Sequence, residues 1–172
     1  MTALPLDGTL VVRRMELADL DQVQAIDRIS FSLPWPASAY RYELKENPLS
    51  LLWVAELRQG DGQRRIAGVV VVWLILDEAH IATIAVHPEF RGQGIGRRLL
   101  ASAVRDAIYR GAGLATLEVR ASNLAAQNLY RRFRFEVVGS RPHYYKDNHE
   151  DALIMTVSGL GEADFEWLDR LV

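Results

Sequence analysis

Residues 91–96 read Arg-Gly-Gln-Gly-Ile-Gly, with Gly92, Gly94 and Gly96 set between an apolar run ending at Val86 and an amphipathic run opening at Ile95. Glycine has no Cβ to hold a ligand off the backbone, and the first N–H groups of a helix have no partner inside it. A strand, a glycine turn and a helix start therefore form a cradle for an anion such as a phosphate. The same glycines would also ease an ordinary strand-to-helix corner, so the turn alone names no ligand. No Lys-Ser or Lys-Thr follows Gly96 as in a P-loop, and the G-x-G-x-x-G spacing of a dinucleotide site with its later acid is missing. A second reactive group is Glu118, the one acid in the apolar stretch 114–119, where burial favours the uptake of a proton.

The elements that must hold these groups can be read from periodicity. Residues 9–15 form a first strand, and apolar residues at Leu17, Leu20, Val23, Ile26 and Ile29 repeat at helical spacing. Pro34 and Pro36 break the chain around Trp35, and residues 37–46 form a short helix ended before Pro48. Trp35 sits in a stiff apolar loop that suits either a plug on the core or the wall of a groove. Residues 51–58 and 64–76 are β-rich runs around an Asp61-Gly62 hairpin signal, and residues 78–86 continue as the next strand. Residues 93–110 carry Ile95, Leu99, Leu100, Ala103, Val104, Ala107 and Ile108 on one helical face, with Gly111 as the stop. Residues 114–120 are a strand, 123–133 a helix capped by Ser122 or Asn123, and 135–140 and 152–157 two closing strands. The tail from Gly159 carries Phe165, Trp167, Leu168 and Leu171 among acids, which predicts a short helix docked on the body.

At 172 residues the chain accommodates one domain with a full core. A net charge of −2 with no basic stripe argues against nucleic acid, and Arg131, Arg132 and Arg134 make only a local basic patch. The sequence has no cysteine, which excludes disulfides, thiolate metal sites and a covalent acyl-cysteine. The spacing of His143, His149, His80 and His87 matches no metal-ligand pattern, so no metal is expected. There is no basic region followed by an apolar run at the start, and the longest apolar run, 67–76, is half of the ~20 residues a span needs. The expectation is a cytoplasmic protein without membrane association.

The pattern Arg91-x-x-Gly94-x-Gly96, after a strand and opening a helix, resembles the pyrophosphate-binding motif of the GCN5-related N-acetyltransferases (GNAT), which use acetyl-CoA. The likeness runs over residues 10–157. It narrows to the RimI-type enzymes, which acetylate the N-terminal alanine of a ribosomal protein, through Leu117 to Asn123, Leu129-Tyr130, Tyr144-Tyr145 and Glu150 to Met155, together with residues 31–36. The resemblance implies an α/β GNAT fold in a single domain: a mixed, largely antiparallel twisted sheet of about seven strands flanked by about four helices. Residues 1–8 would be a flexible N-terminus, 9–158 the N-acetyltransferase domain and 159–172 a helical tail. The sequence departs from the family at Arg134, which stands where the family has a glycine. A left-handed residue there costs non-glycine types roughly 1 kcal/mol.

By the same resemblance, acetyl-CoA would lie against the backbone of Ile84, Ala85 and Val86, its phosphates at Arg91, Gly92, Gln93, Gly94, Ile95, Gly96 and Arg97, with Asn123 as a further contact or as a helix cap. Tyr130 would be the acid facing the CoA sulfur, and backbone N–H groups of the 80–86 strand would face the carbonyl oxygen. Trp35, Arg141, Tyr144 and Tyr145 would line the groove for a protein or peptide N-terminus, a ribosomal protein among the candidates. His143 and His149 are further candidates to relay protons. Amide formation from a thioester needs a neutral amine. An α-amine near ~8 is partly neutral at pH 7 and lysine near ~10.4 is not, so Glu118 as base, directly or through water, suits a protein N-terminus. Glu118 as an ion-pair partner of Arg120, a small-molecule amine as acceptor, and a non-catalytic acyl-CoA-binding module are the alternatives.

Overall fold

The computed structural model describes residues 8–172, so the N-terminus expected to be flexible over 1–8 lies, Gly8 apart, outside the described residues. The elements are β1 (Thr9–Arg14), α1 (Leu20–Ser30), α2 (Ala39–Lys45), β2 (Ser50–Arg58), β3 (Arg64–Ile75), β4 (Glu78–Val86), α3 (Ile95–Tyr109), β5 (Leu114–Arg120), α4 (Leu124–Arg132), β6 (Glu136–Arg141), β7 (Ala152–Ser158) and α5 (Phe165–Arg170). One seven-stranded sheet runs β1-β2-β3-β4-β5-β7-β6, antiparallel throughout except where β4 and β5 are parallel. This is the mixed, largely antiparallel sheet that the sequence implies, with five α-helices.

Strand alternation explains the two faces. Leu51, Ala55, Leu57, Val70 and Val72 pack with Leu99, Leu100 and Val104 of α3, while Leu52, Val54, Val69 and Val71 pack with Val23 and Ile26 of α1 and Tyr40 of α2. A strand covered on both sides reads as a continuous apolar run, which is what 67–76 is. Most boundaries shift by a residue or two from the periodicity, and at two helix starts the local reason is plain. Leu17–Asp19 is a 3-10 turn, because the Asp19 carboxylate takes the Glu16 N–H at 2.8 Å and is gripped by Arg13 at 2.8 and 2.9 Å. Helix α3 opens at Ile95, not at 93, because Gly94 sits at φ +79, outside the helical region.

Two features of β4 open the functional cleft. Val71 pairs with Thr83 and Val72 with Ile81, so Ala82 is an extra residue, a bulge that reverses which face the later side chains take. Ala79 and Ile81 before it, and Ile84 and Val86 after it, all reach the α3 face. Beyond that, β4 pairs with β5 only from Glu78 opposite Leu114 to His80 opposite Thr116. The strands then part, leaving one edge of residues 81–86 unpaired by β5.

Candidate functional site

The gap between the parted strands is a cleft of about 1290 Å³. That exceeds the ~300–1,000 Å³ typical of a site for one drug-sized ligand. Ile84, Ala85 and Val86 form part of one wall and Glu118 and Tyr130 part of the other, while residues 91–97 and Asn123 line it as well. Trp35, Tyr144 and Tyr145 line it too, so of the catalytic, cofactor-binding and peptide-binding residues expected from the sequence all but Arg141 are on the cleft wall.

The glycine turn is built for close approach. Gly92 and Gly94 hold φ +77 and +79, and a Cβ on Gly92 would project into open space with nothing within 4 Å. Gly94 is the N-cap of α3 and offers no side-chain cap, which leaves the first helical N–H groups without a side-chain partner there. Arg91 braces the turn, its Nε donating to the Val86 carbonyl at 3.0 Å. Arg97 folds over Gly94, and its Nε is buried without a partner among the described residues. Open backbone donors, a helix N-terminus and an unpaired guanidinium nitrogen fit a pyrophosphate, and the unpaired edge of 81–86 fits the amides of a pantetheine arm.

Helix α4 starts at Asn123, whose Oδ1 accepts from Ala126 N at 3.1 Å, so Asn123 is the cap between the two candidates. It ends with the Phe135 N–H on the Tyr130 carbonyl at 3.2 Å and the Arg134 N–H on the Arg131 carbonyl at 3.0 Å, with Arg134 at φ +63. That pair of bonds is a Schellman motif, and the left-handed position falls on arginine instead of glycine. The helix end is therefore intact despite the departure from the family pattern. Tyr130 itself is buried beside Phe135, ring centres 6.0 Å apart, and its hydroxyl has no protein hydrogen bond among the described residues. Burial, with a smaller contribution from Tyr145, raises its pKa well above the usual phenol value.

Glu118 is not enclosed by apolar groups as its strand suggests. Strand β5 is buried on one face only, and Glu118 lies on the other, with 14% of its side chain exposed. His80 Nε2 is 3.2 Å from one carboxylate oxygen, and Arg141 Nη2, reaching in from the end of β6, is 3.3 Å from the other. Arg120 is not its partner: it bonds Asp147 at 2.8 Å and Glu150 at 3.4 Å and lies 3.8 Å over the Tyr145 ring. Hydrogen bonds from Ser122 hold the Glu150 carboxyl down at about 2, and burial pushes Tyr145 up to about 12. Ser32 Oγ also bonds Asp147, tying segment 31–36 to segment 141–151 across the cleft.

His143 and His149 are not on the cleft wall; His143 Nδ1 meets the His149 carbonyl at 3.0 Å, which turns both toward shaping their loop. Trp35 is both wall and plug: it stacks on Trp73 at 6.3 Å and packs at 5.0 Å on Tyr40, and Trp73 stacks on His80 at 5.6 Å. Trp73 and His80 are the site residues the sequence reading missed as such. Only the pairing of Trp73 with His80, and of β4 with β5, brings them to Glu118, and no local pattern announces that register.

A split sheet, a glycine turn at a helix start and a cleft of this size describe an enzyme site for a cofactor with a pyrophosphate and an extended arm. The chain belongs to the acetyltransferase (GNAT) family, whose profile matches residues 20–135. It is 44% identical over 147 residues to a Bacillus subtilis protein provisionally named a ribosomal protein bS18-alanine N-acetyltransferase, covering 86% of this chain and 94% of that one. Against the ribosomal protein bS18-alanine N-acetyltransferase of Escherichia coli K12 it is 32% identical over 148 residues, 85% of this chain and 95% of the other. The crystal structure of the Escherichia coli ribosomal-protein-S18-alanine N-acetyltransferase superposes with a TM-score of 0.77 at 30% identity, over 90% and 97% of the two chains. The protein is thus an acetyl-CoA-dependent N-acetyltransferase. Among the described residues no helix is long and apolar enough to cross a membrane.

Proposed function

We propose that the acceptor is the α-amino group of a protein N-terminus, of the ribosomal-protein alanine type, and that Glu118 and Tyr130 manage the protons. The observation that carries this reading is a mostly buried carboxylate on the wall of a cleft of about 1290 Å³ that is lined both by the glycine turn and by Trp35, Tyr144 and Tyr145. The relatives named for bS18-alanine acetylation support it.

When bound, acetyl-CoA supplies the thioester carbonyl that the amine attacks. Glu118 accepts the proton of the α-ammonium, directly or through a water. About one tenth of an amine with pKa ~8 is already neutral at pH 7, so the proton to be removed is weakly held compared with that of lysine. The unpaired backbone edge of β4 donates hydrogen bonds to the carbonyl oxygen as it becomes negative. Tyr130 donates from its free hydroxyl to the departing sulfur. An ordinary phenol lies ~1.5 units above a thiol, about 2 kcal/mol uphill, and burial widens that gap, so the phenol gives a hydrogen bond and completes transfer late. Trp35, Tyr144 and Tyr145 orient the peptide, with Arg141 reaching the site through Glu118. The absence of cysteine leaves no acyl-cysteine route, in keeping with direct transfer.

Peptides beginning with Ala, Ser, Met or Glu, beside an N-terminally blocked peptide carrying lysine, test this reading. Acetylation of the free α-amine, with Ala among the best first residues, is expected. Acetylation of the blocked peptide's lysine alone would overturn it.

A further inference from the structure

Glu118 does not face the cleft alone. His80 is the last β4 residue paired with β5, opposite Thr116, and Glu118 lies two residues further along β5 on the same sheet face. Their side chains meet at 3.2 Å between Nε2 and Oε2. His80 also lines the cleft, so the pair is open to the same space as the acceptor. Its ring is fixed: it stacks at 14° on Trp73, its cross-strand partner on β3, and the Trp73 indole N–H is bonded at 2.9 Å to the buried carboxylate of Glu43 on α2. A stacked, pre-aimed imidazole against a carboxylate is more than a core histidine requires.

We propose that the proton acceptor of this site is the Glu118–His80 pair, with His80 as the positioning residue that holds the Glu118 carboxylate and shares its proton. The proposal rests on the acetyltransfer reading above. The proton leaves the α-ammonium, reaches a Glu118 oxygen, is held across the Oε2–Nε2 contact, and passes to solvent after the product leaves. A carboxylic acid in general lies ~4 units below an α-amine, a factor of ~10⁴ against transfer, whereas an imidazole lies only ~1.5 units below. Sharing the proton with an imidazole thus removes most of that mismatch, and the carboxylate stabilises the imidazolium. The other charged or titratable groups around the pair are Arg141 on the second oxygen of Glu118, Arg120 committed to segment 141–151, Tyr144 and Tyr145 on the cleft wall, and Glu43 behind Trp73. Arg141 is half exposed, so its pull on Glu118 is screened.

The test is the pH dependence of kcat/KM for an Ala-starting peptide, measured for the native enzyme, His80→Gln and His80→Phe. Because the ammonium proton passes to the pair, the native log(rate) is expected to stay nearly level from about pH 8 to about pH 7 and to fall with a slope of one toward about pH 5.5, where imidazoles titrate and the pair takes up a proton from solvent instead. His80→Gln is expected to be slower by ~10–100-fold at pH 7.5 and to lose that acid limb between about pH 7 and about pH 5.5. His80→Phe, which keeps the stack on Trp73, is expected to lose as much as His80→Gln. A native profile with no acid limb between about pH 7 and about pH 5.5, or a His80→Gln limb unchanged from native, overturns the proposal, and so does a His80→Phe rate equal to native. If the native enzyme acetylates no N-terminal peptide, the substrate reading fails instead, which separates the two. The native limb needs no variant to fold.

Discussion

The Arg134 guanidinium carbon lies 3.9 Å from the centre of the Trp167 ring, and its Nη1 bonds Asp164 at 3.0 Å, so the C-terminal segment clamps the residue that ends α4. Arg134 occupies the left-handed position of a Schellman motif whose other end is the carbonyl of Tyr130. At the end of α3, Gly111 fills the same position, with the Ala112 N–H on the Ala107 carbonyl at 2.9 Å. The two helix ends use one hydrogen-bond pattern, and the arginine version recovers its backbone strain through the tail.

The clamp predicts coupled stabilities. Arg134→Gly relieves roughly 1 kcal/mol of left-handed strain and loses an exposed ion pair and a cation–π contact of similar size, so it stays within about 1 kcal/mol of native. Trp167→Ala, which also removes packing against Phe133, costs about 1–3 kcal/mol. The double variant should fall short of the sum by about 0.5–1 kcal/mol in urea unfolding. Strict additivity would mean that the contact contributes nothing.

Tyr130→Phe keeps the buried ring beside Phe135 and removes only the hydroxyl. kcat should drop by ~10–100-fold with little change in melting temperature. Because burial raises the pKa of Tyr130, the phenol stays protonated as pH rises past 10. The native rate should therefore show no alkaline limb from this residue up to that pH, and a limb present in the native enzyme but missing in Tyr130→Phe would contradict its placement.

Segment 141–151 should respond to acid. Glu150 is held at about 2 by Ser122, and Asp147 is lowered by its hydrogen bond from Ser32 and its pairing with Arg120. Both folded-state values lie below the unfolded ones, so their contribution is complete above about pH 4 and is lost as pH falls toward 2. The Ser122 amide, which donates to Glu150 at 2.7 Å, reports this directly. Its proton shift should titrate with a midpoint near 2, and a midpoint near 4 would show that the bond is not held.

Much of this architecture is legible in the sequence, and the rest is missing for identifiable reasons. The glycine turn, the α3 stripe and the Asp61-Gly62 hairpin are local signals, and each appears where its chemistry puts it. The surroundings of Glu118 are not local. That β5 is buried on one face only, that Arg141 and not Arg120 reaches Glu118, and that His80 sits against it all depend on strand register and on a bulge at Ala82. Nothing within a few residues of Glu118 encodes that register. Arg134 is the converse case: its departure from glycine is plain in the sequence, but what offsets it comes from Asp164 and Trp167 in the tail.

The central claim, that Glu118 takes the proton of a protein α-amine, is tested most directly by the pH–rate profile of Glu118→Gln on an Ala-starting peptide. The rate should fall by ~10²-fold or more at pH 7, with the deficit largest below pH ~8, where most of the amine is charged, and narrowing above it. A Glu118→Gln profile with the native shape and rate would contradict the account.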